Sequence, residues 1–546
     1  MLRSGDPPPR PGLDESPEVT GNRPPGASIP ACEETRFSAR AWWPCTRRNR
    51  CARSTRSTDC TMTVDTTLID RTACEVVDLL RREEVSPHEL LDTLAARVEL
   101  VEPHINALPT LCWERAHEHA QRLMRVPVTE RGPLCGLPVP VKDLSAVAGV
   151  RTTYGSRVYR DFVPAATDVT PARLEESGGI VYAKSNSPEF GAGGHTVNDV
   201  LGLTRNPWRL SRSSGGSSGG AAAALASGTA WVAHGSDLAG SLRTPAAFCG
   251  VVGLRPTPGR VPSGPARDPF DTMAVQGPMA RNVEDTALLF DAMVGADPRS
   301  PLSMPRSAQT FLDHARRPRV PVRIAYSDGL GIAVPETQVL AICAATMDRL
   351  CASGIGVERP DVDLSAGHRA FHVLRGVSFA ANYAPVLRQH RETLGANVVG
   401  NIEYGLALGV PAVADAIRTR GELTHRVEAL LRQYDVLVCP ASIVPAFDAG
   451  LPFVACAAGR QFDTYIDWLS ITYGLTLLGL PVISIPCGMT ADGLPVGIQI
   501  VGRARGEADL LSVAAAIEAI IGPWASGKKE LDVLLKEQIE SSALQE

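Results

Sequence analysis

The sequence predicts an α/β fold, a layered sheet covered by helices. Helical and strand periodicities alternate from about residue 66 to 521. Start and stop signals punctuate that alternation, and no internal repeat or composition break divides it. The 546 residues are 44% hydrophobic and 21% charged, ordinary globular usage and enough for one large core.

Residues 1–61 precede the pattern. They are Pro-rich, then rich in Arg, Ser and Cys, with no apolar periodicity. Such a segment buries too little surface to offset its ordering entropy, so it reads as a disordered extension. Asp14, Glu15, Glu33 and Glu34 argue against a transit peptide, and no apolar h-region marks a secretory signal. Met62 opens the patterned sequence and is read as an alternative start. The expected domain spans 62–524, and a polar tail, 525–546, is expected to fray.

From Met62 the elements follow in order. Thr72-Ala73-Cys74-Glu75 and Ser86-Pro87-His88-Glu89 are capping boxes, the second with proline at the first helical position. They open helices whose apolar faces hold Val76, Val77 and Leu80, then Leu90, Leu91, Leu94 and Val98. A third helix is expected over 113–123, and a short apolar strand ends on Lys142 and Asp143. A helix over 170–177 stops at Gly178-Gly179, and 180–183 reads as a strand. Beyond a Gly/Ser-rich centre, 283–294 is a helix capped by Asn282. A strand follows at 322–326 and a helix at 336–351, and 355–430 is mostly helical. Strands at 435–439, 482–486 and 496–501 precede a closing helix over 507–521.

The centre is 211–260. Residues 213–220 hold four serines and four glycines, a density that lets backbone pass where a Cβ would clash. A buried helix over 221–226 and a strand over 230–233 lead to a tight turn at Asp237-Leu238-Ala239-Gly240-Ser241. Two serines, Ser217 and Ser241, are thus held on Gly-rich bends.

A serine hydroxyl needs a base. No histidine lies within five residues of Ser217 or Ser241, and strand alternation makes His234 a packing residue. A lysine serves when burial favours its neutral form, and Lys142 ends an apolar, proline-framed strand. The plainer reading pairs Lys142 with Asp143.

Gly136-Leu-Pro-Val-Pro-Val-Lys142-Asp143, Gly215-Gly-Ser-Ser-Gly-Gly220, Asp237-x-x-Gly-Ser241-x-Arg243-x-Pro245-Ala246, Cys249-Gly250-x-x-Gly253-Leu254 and Gly493-Leu-Pro-Val-Gly-Ile-Gln499 together resemble the amidase signature family. The resemblance is ordered and spans roughly 66–521. It implies that family's fold, a central mixed twisted β-sheet covered by helices on both faces. It also implies a Ser–Ser–Lys triad in which Ser241 attacks the amide carbonyl, Ser217 bridges at a cis peptide, and Lys142 is the neutral base. The N–H groups of Leu238, Ala239, Gly240 and Ser241 would form the oxyanion hole, Ser218 would support the network, and Asp237 and Arg243 would hold the turn. Ala239 replaces one of two glycines usual before the nucleophile, a strain of roughly 1 kcal/mol or more if φ there is positive. Arg255 stands where lysine is frequent, a structural change. The acyl pocket would lie between 188–195 and 370–475, with Gly191 and its small neighbours forming an open wall.

Other signals carry less. Gly215–Gly219 matches G-x-S-x-G but lacks the preceding strand and a late histidine. No Gly-Lys-Ser/Thr follows for a phosphate loop. His368 and His372 lie four apart as two zinc ligands on a helix would. Without the H-E-x-x-H glutamate they read as a solvated or packed pair, and His117 and His119, two apart, point to different sides of a helix. Cys249 reads as a small buried hydrophobe. No cofactor and no metal are expected.

The implied activity is hydrolysis of a carboxylic amide to acid and ammonia or amine. The alternatives are the glutaminase subunit of a tRNA-dependent amidotransferase, and a non-catalytic pseudo-amidase that binds a small molecule. The expected partner is a small-molecule amide. A net charge of −5 gives no general attraction to nucleic acid. The uncharged windows 213–236 and 468–491 are too polar or too proline-broken to span a membrane. Thirteen cysteines without a C-x-x-C pair favour a reducing, cytoplasmic setting. Homodimerisation is left open.

Overall fold

Both capping boxes form as the residue pattern demands. Thr72 and Ser86 accept from the N–H of Glu75 and Glu89, and each glutamate reaches back to the cap N–H, opening the helices Ala73–Arg81 and Pro87–Ile105. These are the first helices of a computed structural model that describes residues 66–522 and 527–543. The expected disordered extension, 1–61, lies outside the described residues.

Two sheets organise the chain. β1 (Thr110–Leu111), β2 (Pro138–Lys142) and β3 (Ile180–Ser185) form the smaller, in the order β1–β3–β2, with β2 and β3 parallel. The larger has eight strands: β4 (Val232–Asp237), β5 (Val252–Arg255), β6 (Val275–Ala280), β7 (Arg323–Tyr326), β8 (Gly356–Glu358), β9 (Val436–Pro440), β10 (Val482–Met489) and β11 (Pro495–Val501). Their order is β8–β7–β9–β11–β10–β5–β6–β4, parallel only between β8, β7 and β9. The sheet is therefore mixed. Every residue of β9 and β11 is buried, as are the first six of β10. A strand with no exposed position has both faces covered, and the helices Arg243–Cys249, Thr337–Ala352 and Glu507–Ile521 pack on this part of the sheet.

The two sheets meet beside the Gly/Ser centre. β4 is the edge of the large sheet, and the N–H of Lys142 at the end of β2 donates to His234 Nδ1 at 3.2 Å. The helix Gly219–Ser227, built of small residues apart from Leu225, packs with β2, β3 and β4, and each of its residues is buried. Alanine and glycine along this helix let three strands approach one short cylinder.

Two regions depart from the expected pattern. The strand expected over 230–233 begins at Val232 and runs on to Asp237. Residues 527–543, expected as a tail, form a helix that buries Leu531 and Leu535. Arg97 anchors it by pairing with Asp532. Among the described residues no helix is long and apolar enough to cross a membrane, and every cysteine is free.

Candidate active site

Neighbouring side chains of a strand point to opposite sides, and this separates Lys142 from Asp143. Asp143 faces Lys184 at 3.8 Å and accepts from the N–H and hydroxyl of Thr153. Lys142 faces the serine loop instead. Its Nζ lies 2.7 Å from Ser217 Oγ, 2.8 Å from Ser218 Oγ and 3.0 Å from Ser236 Oγ. The amine is wholly buried among hydroxyls, with no carboxylate in contact. Burial drives its pKa down to about 7, opposed in part by the Asp237 charge. A lysine in that range is half neutral at neutral pH.

The loop reaches Lys142 because glycine lets it. The Gly216–Ser217 peptide is cis, and a Cβ on Gly216 would lie 2.7 Å from the backbone nitrogen of His195. Ser218 N–H donates to the carbonyl of Ser241 at 3.2 Å, which ties the loop to the second bend. Ser217 and Ser241 share one cavity of about 170 Å³. Ser241 keeps 7% exposure, and among the described residues no hydrogen bond engages its hydroxyl. Its Oγ is free to meet a ligand.

The Asp237–Ser241 turn is clamped from below. Asp237 accepts from Gly240 N–H (3.0 Å), Leu242 N–H (3.1 Å) and two nitrogens of Arg243 (both 3.0 Å). Arg255 adds contacts to the Asp237 carboxylate at 3.2 Å and carbonyl at 2.6 Å. Burial alone would raise the Asp237 pKa, but the two guanidiniums hold it well below the usual carboxylate range. Arg243 also reaches Thr472, Thr476 and Gln499, joining the turn to the last third of the chain.

This clamp corrects the expected oxyanion hole. Gly240 N–H is held by Asp237 and is not available, because a carboxylate placed to stiffen the turn takes the donor pointing toward it. The N–H groups of Leu238, Ala239 and Ser241 have no acceptor among the described residues and border the cavity. Ala239 has a negative φ, so replacing glycine there costs no backbone strain; the left-handed residue is Gly240, at φ 113°. Thr472 Oγ1 lies 2.6 Å from the Ala239 carbonyl, and a Cβ on Gly240 would come within 2.3 Å of the same Oγ1. Ala239→Gly is therefore expected to keep turnover within about threefold. Gly240→Ala is expected to lower it by roughly 100-fold or more as the donors beside it shift. Parallel steady-state assays of the two variants check this.

Gly191 lines the cavity, against Leu144 and Ser217, at φ 73°. Phe190, Phe379 and Tyr383 line the same cavity, with Phe190 and Tyr383 centroids 4.7 Å apart. Ser236, Asp271 and Arg375 are site residues that the motifs do not mark. The signal for Ser236 is the alternation of β4, which puts it on the same side as His234, toward Lys142. Arg375 is 3% exposed, stacks on Phe379 at 4.5 Å, and bonds Asn401 and Tyr465. Asp271 accepts from Ser378 at 2.7 Å.

A family model described as Amidase matches residues 89–511. The acylamidase of Rhodococcus erythropolis is 35% identical over 471 residues, covering 85% of this chain and 98% of that one. A glutamyl-tRNA(Gln) amidotransferase chain of Moorella thermoacetica is 33% identical over 481 residues, covering 82% and 96%. The crystal structure of a bacterial aryl acylamidase superposes with a TM-score of 0.78 at 26% identity, over 84% of this chain and 98% of that one. The matched model, the relatives and the shared fold agree, and the chain belongs to the amidase signature family of amide-hydrolysing enzymes.

Proposed function

We propose that this chain is an acylamidase that hydrolyses a carboxylic amide through an acyl-enzyme on Ser241. The observation that carries the reading is the buried, neutral-leaning Lys142 amine 2.7 Å from Ser217 Oγ, with the free Ser241 hydroxyl in the same cavity. Ser217 passes a proton from Ser241 to Lys142 as Ser241 Oγ bonds to the carbonyl carbon. The oxyanion is held by the N–H groups of Leu238, Ala239 and Ser241. Lys142, now an ammonium, returns the proton to the leaving nitrogen as the C–N bond breaks. Water then attacks the acyl carbonyl carbon, giving a proton to Lys142 along the same path, and the acid leaves as Lys142 returns that proton to Ser241 Oγ.

The cavity sets the acyl size. About 170 Å³ lined by Phe190, Phe379 and Tyr383 is close to the ~150 Å³ void that holds one benzene ring. A benzoyl, phenylacetyl or short aliphatic acyl group fits, and a long chain does not. Asp271 and Arg375 support a second reading, because a carboxylate and a guanidinium in one cavity complement the zwitterionic end of glutamine. That is the chemistry of a glutaminase, the reading to which the Moorella thermoacetica relative points.

Product release from benzamide, phenylacetamide, hexanamide, acetanilide, hexadecanamide and glutamine separates the readings. Turnover of the aryl and short-chain amides, with hexadecanamide and glutamine inert, is the expected result. Turnover of glutamine alone would transfer the chain to the glutaminase reading.

A further inference from the structure

The helix Gly367–His390 supplies Arg375, Ser378, Phe379 and Tyr383 to the catalytic cavity, while His368 and His372 lie one turn apart at its start. The sequence leaves these two as a packed pair. The fold adds a third donor, Asp467, from the turn Asp467–Leu469. One ligand atom from each of His368, His372 and Asp467 lies within 4.8 Å of the other two.

Three features bring the donors of this cluster together. His372 Nε2 and Asp467 Oδ1 face each other at 2.9 Å as an ion pair. The other oxygen, Asp467 Oδ2, is fixed by Thr464 N–H at 2.8 Å, which turns Oδ1 toward the histidines. His368 Nδ1 is engaged by the Tyr473 hydroxyl at 2.6 Å. Such an outer partner sets the tautomer and ring orientation of a metal-bound imidazole and leaves Nε2 for the cation. The cluster opens on a cavity of about 670 Å³, so solvent ions can enter.

We propose that His368, His372 and Asp467 form a binding site for one divalent first-row transition cation, with zinc the best fit to the donor set. Two imidazoles and one carboxylate are the ligands of a tetrahedral zinc with a fourth position for water. Ligand atoms about 2.0–2.1 Å from one tetrahedral ion stand about 3.4 Å apart, within reach of small side-chain rotations here. The cation joins the start of helix Gly367–His390 to the segment that carries Ile466 and Leu469, and both elements line the catalytic cavity. It touches none of the reacting serines. Its part is to lock the acyl pocket's two walls together.

The test uses the untagged full-length protein, stripped with chelator and titrated with Zn²⁺ and Co²⁺. One equivalent of Zn²⁺ is expected to bind, and Co²⁺ is expected to give the visible d–d absorption of a tetrahedral site. Saturation with Zn²⁺ is expected to raise the unfolding temperature by about 3 °C. His368→Gln changes an exposed side chain and is expected to fold normally, yet lose the Co²⁺ band and the thermal shift. Asp467→Asn is expected to lose both as well. Equal zinc content and equal thermal response in wild type and His368→Gln would overturn the proposal, as would absence of any micromolar binding by the wild type.

Discussion

Ser241→Ala is expected to fold like the wild type and to lose amide turnover by about 10⁴- to 10⁶-fold. The folding half of that expectation follows from the surroundings of the hydroxyl. It makes no hydrogen bond among the described residues and borders a cavity, so its removal orphans no buried partner and opens no new void in packed core. A change of that kind stays within about 0.5 kcal/mol. The catalytic half follows from the lack of another nucleophile in place. Ser217 and Ser218 are both within 2.8 Å of Lys142 and are bound into its network, while Cys249 is buried with burial pushing its thiol well up. Intact-mass spectrometry with a slow-deacylating aryl ester checks the assignment directly. The wild type should gain the acyl mass and Ser241→Ala should not. Turnover above one percent of wild type in the variant would remove Ser241 from the mechanism.

Ser241 illustrates what the sequence makes legible. Local chemistry is written in the chain: the capping boxes at Thr72 and Ser86, the closing helix Glu507–Ile521, and the glycine crowding at Gly216 all appear as the residues dictate. Not every strand is legible. β6 carries Gly277-Pro278, which reads as a turn, yet a Cβ on Gly277 would lie 2.3 Å from the Leu254 carbonyl. The residue that spoils the strand pattern is the one that lets β6 pack. The helix Gly527–Ala543 is hidden for a different reason: its polar composition masks the apolar stripe through Leu531 and Leu535. At the site, motif position assigns the oxyanion donors, and only the fold reveals that Asp237 claims one of them. Ser236, Asp271 and Arg375 come from separate elements. No spacing rule links them, since their meeting is a property of the packed sheets.

Lys142→Met is expected to abolish turnover and at the same time to stabilise the protein at and below neutral pH. Methionine keeps the length and apolar stem of lysine and removes the buried amine. The lysine's ordinary pKa is 10.5, and burial lowers it to about 7 in the folded state. Between those values the unfolded chain binds a proton that the folded chain does not, so wild-type stability rises with pH by up to about 1.4 kcal/mol per unit. Below pH 7 the amine is charged in both states, and the full cost of holding that charge in a dry site opposes folding. The variant carries no such cost, though it leaves the Ser217, Ser218 and Ser236 hydroxyls with one partner fewer, at about 1 kcal/mol each. Its advantage should therefore be largest at pH 6 and shrink steadily toward pH 10, as thermal unfolding of both proteins across that range would register. Lys184, also buried, is present in both and cancels from the comparison. The same ionisation governs activity with a fixed sign. The base must be neutral, so wild-type kcat/KM should climb about tenfold per unit below pH 7 and level off above it. A stability difference independent of pH, or a kcat/KM that falls as pH rises through 7, would show that Lys142 is charged when the enzyme works and exclude it as the base.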